Sequence, residues 1–593
     1  MGRMKEIFIG EGDRYNYSQM CLFNNPFSRG EKQKVNFYSV DEKIPIFLTL
    51  IMGLQHAFAM VGGLITVPFV IFKFSVCFAC VELQQYAIAA ALITSGLCTL
   101  IQLSKFPIPG SEKYFGRQLF VGSGVLSVMG TSFTFLPIFE IAIRQMTASG
   151  IDGRTAYGKM LGTSMLCGLL ELGFSVMPLK YIKRIFPPMV TAITVILIGV
   201  ALIGTGMKYW GGGAVCADMV WKEHSQITGQ NLTFPPPFPT CDAGDVQLGY
   251  GSRELIGLGF SVMVFLVFIE LFGSVFMKNC NVIIALLFGY LIAGVTDYEG
   301  SNYVDTSKIS DAKAITFLWV ETFPLGLYGP AVIPLLIAYL VTTVETVGDI
   351  SAVFEVSGIS MDSQSFNESL QGGLTSDSIC SIISGLFTSM PNTTFSQNNG
   401  VIALTKCASR RAGYGAAFWC VVVMGVFSKI SGIITSIPDC VIGGMTIFLF
   451  ANVLVSGIAL SATLDLHSRR VKFIMALSLA IGVGVTVWPF AFQDMRGSSY
   501  TANFWRCSEC SDTMKGLRNG ASIFLSTGYC VGTVVAMFLN AILPEDGGVV
   551  MYDETKKLSE EESNESEDGA AAPLDEYDSD KKDIEYQKNE ISA

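Results

Sequence analysis

The sequence predicts an all-α polytopic membrane protein, and three properties of the composition carry this prediction. Of the 593 residues, 50% are hydrophobic and only 15% are charged, and the mean hydropathy is +0.48. A soluble protein carries roughly 25% charged residues. Apolar stretches of about 20 residues are typical of membrane-spanning helices. The composition therefore excludes a collagen, a disordered chain, a small disulfide scaffold and a DNA-binding protein.

About fourteen apolar segments follow one another, and they form two sets of seven. The third segment of each set is defective: glycines interrupt residues 114–137, and residues 395–405 are too short to cross a core of about 30 Å. Seven spans per set make the second set inverted, and interrupted segments in matching positions indicate a transporter binding site. The sequence predicts an N-terminal cytoplasmic segment at residues 1–43 and an acidic, disordered cytoplasmic tail at residues 544–593. Between them lie two seven-span repeats, at residues 44–296 and 329–543.

Loop charges predict the orientation in the membrane. Short basic loops, such as Arg410-Arg411, belong on the cytoplasmic side and place both termini there. The longer loop over residues 208–253 then lies outside, where Asn231 in Asn-Leu-Thr is a glycosylation acceptor and Cys216 and Cys241 can pair. The last 43 residues hold fifteen acidic residues and five lysines, and so carry nearly all of the net charge of -11.

Ionisable residues inside apolar segments are costly, at least about 2.5–3.5 kcal/mol each at a helix centre, and therefore mark function. Glu345 and Asp349 are four residues apart and share one helix face, where a carboxyl group that can be neutral or charged suits a proton-coupled carrier. An alternative for Asp349 is a helix end at the water interface. Structural pairing or snorkelling explains the other acids and the lysine that such segments contain: Glu171, Glu270 and Lys429.

The tenth segment holds three consecutive amides, Gln397, Asn398 and Asn399, in an apolar context. Each amide has donor and acceptor capacity that must be satisfied, and one amide can pair with an N–H beside a C=O on a flat ligand. Gly400 then opens a short helix whose N-terminal N–H groups face the site. The alternative is a polar helix break without a ligand.

These residues resemble a known signature. The pattern Gln397-Asn398-x-Gly400-x-x-x-x-Thr405-Lys406 is similar to the motif of the nucleobase–ascorbate transporter family (nucleobase:cation symporter-2). Gln55-His56 in the first segment and Glu345-x-x-x-Asp349 also match that family. The resemblance covers about residues 44–543 and, within the family, extends to the fungal uric acid–xanthine permeases.

The resemblance implies a seven-plus-seven inverted repeat with core and gate domains, working as a homodimer. It implies that Glu345 and Gln397 hydrogen-bond a purine, that Phe133 stacks on it, and that Phe395 and Ser396 contact it through their backbone. Tyr529 occupies a position where a phenylalanine is common. The residues implied to support the site or couple protons are Asp349, Asp377, Asn398 and His56. The residues implied to act as gate or specificity residues away from the site are Arg470, Thr527 and Tyr529.

The predicted function is proton-coupled uptake of xanthine and uric acid across the plasma membrane. The alternatives are a carrier for uracil, adenine, hypoxanthine or ascorbate, and an anion exchanger of the same architecture. An enzyme is disfavoured because the chain has only three histidines. We expect no metal, cofactor or nucleic acid. The predicted partners are the purine, H⁺, the lipid bilayer, a second copy of the chain and a ubiquitin-ligase adaptor on the tail.

Overall fold

The computed structural model describes residues 8, 37–72, 76, 81–177, 187–213, 216–217, 240–360, 363–462, 464–488 and 512–544, and these are mostly helical. The α-helices, α1 to α19 in order, are Ile46–Ile71, Val81–Leu103, Ser111–Phe115, Leu136–Ala148, Gly153–Ser175, Pro188–Trp210, Arg253–Phe272, Val275–Asn279, Asn281–Val295, Ser307–Asp311, Val332–Val356, Gln364–Leu386, Gln397–Thr405, Arg410–Phe418, Lys429–Ser436, Asp439–Ser461, Arg469–Val487, Asp512–Ser526 and Gly528–Ile542.

Short strands interrupt this helical structure and pair two by two in antiparallel fashion, β1 with β2, β3 with β8, β4 with β5 and β6 with β7. In order, β1 to β8 are Phe106–Pro107, Phe120–Val121, Met129–Thr131, Thr240–Ala243, Val246–Gly249, Asp297–Tyr298, Ser301–Asn302 and Asn392–Thr394. The described residues also contain 3₁₀ turns at Phe133–Phe135 and Gly329–Ala331 and a π-helix at Trp419–Val426.

The predicted all-α polytopic architecture is confirmed. Within the described residues, seven helices are long and apolar enough to cross a membrane, and two bent helix pairs raise this number to nine. The predicted number of about fourteen is larger because it also includes the two interrupted segments, the short helix α9, and the continuous helices α5 and α12, which are not among the nine. The third segment contains β3 and the 3₁₀ turn that leads into α4, the tenth is the short helix α13 directly after β8, and the seventh corresponds to the 15-residue helix α9.

The helices pack as two groups. One group contains α1, α2, α5, α11, α12 and α14, and the other contains α6, α7, α9, α16, α17 and α19. In the second group α6 and α16 run in close contact because glycines line the seam. A Cβ atom added at Gly443 would lie 2.1 Å from the backbone nitrogen of Trp210, and one added at Gly199 would lie 2.6 Å from Leu454 Cα. Small residues of this kind let membrane helices approach backbone to backbone.

The strands β3 and β8 connect the two halves of the chain at the centre of the molecule. Met129 pairs with Thr394 and Thr131 with Asn392, and all six strand residues are buried. Backbone N–H and C=O groups buried in this way need partners, and each strand supplies them to the other. The third segments of the two halves thus lie side by side in opposite directions, as an inverted repeat requires.

The segment before α1 is attached to the chain between α13 and α14. The Tyr38 N–H donates to the Lys406 carbonyl and the Ala408 N–H to the Tyr38 carbonyl, both at 2.9 Å. Arg410 also forms an ion pair with Asp41. Residues 37–44 therefore fix the end of the second half's interrupted segment.

The structure pairs the two loop cysteines whose pairing the sequence left open. Cys216 and Cys241 form a disulfide with their Cα atoms 5.4 Å apart, next to the β4–β5 hairpin. Asn231 and the cysteines at positions 77, 80, 507 and 510 lie outside the described residues. Two of the predicted structural pairings also hold, since Lys278 bonds Glu270 at 3.3 Å and Lys429 donates to the Ile309 carbonyl at 2.8 Å.

Candidate functional site

The site is centred on the β3–β8 ribbon and the helices that follow each strand. The Ser132 N–H donates to the Pro391 carbonyl at 2.9 Å, and the Phe395 N–H donates to the Val128 carbonyl at 3.1 Å. A 3₁₀ turn begins at Phe133 after β3, and α13 begins at Gln397 after β8. Both helical segments thus direct their N-termini, which carry partial positive charge, towards the ribbon.

Two phenylalanine rings flank the ribbon. The rings of Phe133 and Phe395 are nearly parallel, with an interplanar angle of 10° and centroids 6.4 Å apart. Phe450 packs its edge against Phe133 at 5.3 Å. Gly130 leaves room for the Phe395 ring, because a Cβ atom there would lie 2.4 Å from Phe395 Cζ. The two rings are held by close packing, and they provide flat apolar faces for a planar molecule.

Asp349 fixes the junction between β8 and α13. Its Oδ2 accepts a hydrogen bond from Thr394 Oγ1 at 2.7 Å, and its Oδ1 accepts from Ser396 Oγ at 2.6 Å. The Asn399 amide also donates to Oδ1 at 3.3 Å. Asp349 is buried in the middle of α11, so the water-interface alternative for this residue is wrong. The carboxyl group positions the start of α13 through three separate donors.

Asp377 lies on α12 behind the ribbon. Its Oδ2 accepts from Thr346 Oγ1 at 2.5 Å and from Thr393 Oγ1 at 3.2 Å. It therefore connects α11, α12 and β8, while the Glu171 carboxyl group approaches it from α5.

Glu345 is the acid with free hydrogen-bonding capacity next to the rings. It lies next to Thr134, the neighbour of Phe133, and its Oε2 is buried without a partner among the described residues. None of the ion pairs in the described ranges involves Glu345, Asp349 or Asp377. A buried acceptor without a partner is costly, so a ligand N–H would be favourable there.

His56 and Asn398 are in contact, as expected for supporting residues. The Asn398 amide donates to His56 Nδ1 at 2.9 Å and to the His56 carbonyl at 3.1 Å. The neutral imidazole then carries its proton on Nε2. Next to it, the Asn279 amide donates to Gln55 Oε1 at 3.0 Å. This second bond joins the two helix groups, because α1 belongs to the first group and Asn279 ends α8, just before α9 of the second.

The predicted gate residues differ in their distance from the site. Tyr529 on α19 donates its hydroxyl to the Thr134 carbonyl at 2.6 Å and so reaches the site directly. Thr527 is buried before α19 and donates to the Ile523 carbonyl at 2.7 Å. Arg470 is remote, since it donates to the side-chain and backbone oxygens of Asn540 at the end of α19.

The structure describes two of the predicted contact residues, Phe395 and Gln397, to different extents. The backbone N–H and C=O of Phe395 are both bonded within the chain, so its ring is the part that can face a ligand. The backbone of Gln397 forms the first residue of α13, and its side chain lies outside what the structure describes.

Sequence reasoning missed the threonines and the aromatic residue that complete the site. Thr134 contacts both Glu345 and Tyr529, and each of the other threonines donates to an acid. Their proximity to Glu345 and Phe395 in the sequence is the signal that could have found three of them. The missed residues are Thr134, Thr346, Thr393, Thr394 and Phe450.

Comparisons with known proteins find a family and several relatives of this chain. The family model Xan_ur_permease, described as a permease family, matches residues 47–233 and 241–490. A uric acid-xanthine permease of Emericella nidulans is 38% identical over 552 residues, covering 91% of this chain and 88% of the relative. A purine permease of the same organism is 37% identical over 544 residues, covering 90% and 88%. Among solved structures, the transmembrane domain of the cyanobacterium bicarbonate transporter BicA matches 74% of this chain and 95% of its own at a TM-score of 0.49 and 14% identity.

The matched region includes α1, both interrupted segments and the acids of α11 and α12. The predicted resemblance is therefore confirmed, and so is the prediction that the chain is a transporter and not an enzyme. This multi-pass membrane protein belongs to the permease family of nucleobase–ascorbate transporters.

Proposed function

We propose that this permease takes up the oxidised purines xanthine and uric acid together with a proton across the plasma membrane, with both termini in the cytoplasm. The names of the two Emericella nidulans relatives support the substrate class. The observation that carries the proposal is Glu345 Oε2, which is buried without a hydrogen-bond partner among the described residues. Glu345 lies next to Thr134, and the neighbouring Phe133 has its ring parallel to that of Phe395.

The chemistry of an oxidised purine is complementary to these groups. Its ring N–H groups donate to Glu345, and its flat face stacks on Phe133. Stacking contributes about 0.5–1.5 kcal/mol beyond area burial, whereas a hydrogen bond to a charged group contributes about 1.5–3 kcal/mol. Discrimination between purines therefore depends mainly on the hydrogen bonds, and Gln397 at the start of α13 is proposed to supply the second set.

Uptake against a gradient needs a coupled ion, and we assign this role to H⁺. One charge that moves through 100 mV supplies about 2.3 kcal/mol. The carboxyl groups of Glu345, Asp349 and Asp377 lie around the ribbon without a cation paired to them in the described part of the chain. Acids in this setting can bind and release a proton as the site changes its access to water.

The test is uptake of labelled xanthine by cells that lack their own purine carriers and express the full chain. Unlabelled uric acid, hypoxanthine, adenine, uracil and ascorbate compete in parallel, with and without a protonophore. We expect uric acid and xanthine to compete, and the protonophore to abolish accumulation. Competition by uracil or ascorbate alone, or accumulation that resists the protonophore, would contradict the proposal, and chloride currents would favour an anion exchanger.

The remaining parts of the proposal concern assembly and turnover. The resemblance supports a homodimer, which cross-linking of the detergent-solubilised full chain tests. The lysines among the acidic residues of the tail are proposed to accept ubiquitin through a ligase adaptor. Replacing the five lysines after residue 551 by arginine should then slow the removal of the permease from the cell surface.

A further inference from the structure

Glu171 is a second buried acid that the proposed purine site does not use. It lies on α5, is completely buried, and accepts one hydrogen bond from Thr343 Oγ1 at 3.4 Å through its Oε1. Its Oε2 has no donor among the described residues. Structural pairing with a cation, the interpretation favoured from the sequence, is absent there, since no ion pair in the described ranges involves Glu171.

The group that approaches Glu171 is another acid. Glu171 and Asp377 lie on packed helices, because the hydroxyl of Ser378, next to Asp377, donates to the Gly168 carbonyl of α5 at 2.9 Å. Thr343 and Thr346, three residues apart on α11, donate to Glu171 and Asp377, which brings the two carboxyl groups together. Thr346 and Thr393 occupy Asp377 Oδ2, and Asp377 Oδ1 has no donor in the described part of the chain. Two ionised carboxylates can only accept hydrogen bonds, so contact between them requires a proton on one. One shared proton would give both remaining oxygens a partner.

The surroundings of the pair contain acids and hydroxyls. From α11 the pair faces Glu345, Asp349 and Tyr339. On α12 itself the Cys380 thiol lies near Asp377. The charged groups of α4 neutralise each other, because Arg144 pairs with Glu140 at 2.9 Å. Glu368 at the start of α12 is also neutralised, because Lys105 forms an ion pair with it at 2.9 Å.

We infer that Glu171 and Asp377 together form the binding site of the coupled proton, with Glu171 as the second carboxyl group of the pair. This inference rests on the proposed proton-coupled function and names where the proton is held. The pair takes H⁺ from water on the outer side and changes its charge from −2 to −1. It returns the proton to water on the inner side. Asp377 transmits this change to the ribbon, because the threonines that donate to it, Thr346 and Thr393, belong to α11 and β8.

The decisive variant is Glu171→Gln, which keeps the length of the side chain and supplies a permanent N–H donor to Asp377. The contact between the two side chains then needs no proton. Purified full-length permease in liposomes is assayed in two ways with labelled xanthine. Exchange without a gradient reports binding and movement, and accumulation under an imposed pH gradient reports coupling. Glu140→Gln is the matched control, since it neutralises a membrane-helix acid outside the pair.

We expect Glu171→Gln to exchange xanthine within threefold of the wild-type rate and to lose at least tenfold in gradient-driven accumulation. Glu171→Asp, which still titrates, should recover part of the accumulation, and Glu140→Gln should retain it. Wild-type accumulation by Glu171→Gln would overturn the inference, as would a parallel loss of exchange and accumulation in protein of unchanged thermal stability. If the wild-type permease itself accumulates xanthine with neither a pH gradient nor a membrane potential, the proposed coupling fails, whichever result the variants give.

Discussion

The two interrupted segments have the same backbone plan but different chemistry. In the first half, β3 leads into the 3₁₀ turn at Phe133, and the turn contributes a ring and a backbone carbonyl that Tyr529 bonds. In the second half, β8 leads into α13, and the junction contributes hydroxyl and amide groups that Asp349 and His56 hold. In both halves the strand and helix place the side chains at the site. The side chains of the first segment form an apolar face, and those of the second form a polar edge.

The second segment is held mainly by the hydrogen bonds of Asp349 on α11, whereas the first combines the packing of its phenylalanine ring with one contact to Glu345 on the same helix. Asp349 and Glu345 both come from α11, and they contact opposite segments: Asp349 bonds Thr394 and Ser396, whereas Glu345 lies next to Thr134. This helix is therefore the element that the two halves of the site share. Variants on α11 should have larger effects than variants on either segment.

The largest effect is expected for Glu345→Gln. The substitution removes the charge that the ring N–H groups of the purine would face, and loss of a charge-assisted hydrogen bond costs about 1.5–3 kcal/mol, or about 10- to 150-fold in transport. Surface labelling measures the amount of permease at the cell surface, and labelled xanthine uptake measures its transport rate. Uptake that persists with its pH dependence intact, in protein at the normal surface level, would contradict the role of Glu345.

Asp349→Asn is expected to be the next most severe change, about tenfold or more in uptake, since a hydrogen bond to a charged group is worth about 1.5–3 kcal/mol. An amide cannot accept from Thr394, Ser396 and Asn399 as the carboxylate does. Glu355→Gln, an exposed acid further along the same helix, is the matched control. Equal uptake by the two variants would show that the β8–α13 junction does not depend on Asp349.

Gly130→Ala tests the packing of the first segment. The new methyl group would lie 2.4 Å from Phe395 Cζ, so the ring must move, and overpacking of this kind costs typically about 1–3 kcal/mol. We expect xanthine affinity to fall several-fold in competition assays. Gly173→Ala on α5 has open space at its Cβ position and should be neutral. A neutral Gly130→Ala would mean that the position of the Phe395 ring is unimportant.

The smallest effect is expected for Tyr529→Phe. The substitution removes one hydroxyl that donates to the Thr134 carbonyl, a contribution of about 0.5–1.5 kcal/mol. The ring remains, so xanthine uptake should change by less than about tenfold, while other purines should compete better because the turn at Phe133 is less constrained. A competition panel on Tyr529→Phe and the wild type measures this. If the same purines compete equally well in the variant and the wild type, the Tyr529 hydroxyl does not determine substrate selectivity.

Much of the architecture could be predicted from the sequence, because apolar length and motif spacing are local properties. The interrupted third segments and the shared face of Glu345 and Asp349 follow from such patterns. The exact place of the first interruption could not be predicted. The glycines indicated residues 114–137, but β3 and its helix occupy 129–148 because pairing with β8 selects the strand.

The contacts between distant segments were also beyond sequence reasoning. Nothing local indicates that Tyr529 reaches Thr134, or that Glu171 lies against an acid and not a base. The same holds for Phe450, which is one of many phenylalanines in the chain and contacts Phe133 only through the packing of α16. A carboxyl group in an apolar run shows that a partner is required, but it does not show which residue is the partner.

The pairing of β3 with β8 also has a consequence for biogenesis. Met129 is synthesised long before Thr394, and at about 5–20 residues per second the delay is on the order of tens of seconds. During this interval β8 does not yet exist, so the polar backbone of β3 lacks the partner that it has in the folded chain. The nascent chain must keep that strand in contact with water or with the insertion machinery until the second half emerges, so the two repeats mature together and not one after the other.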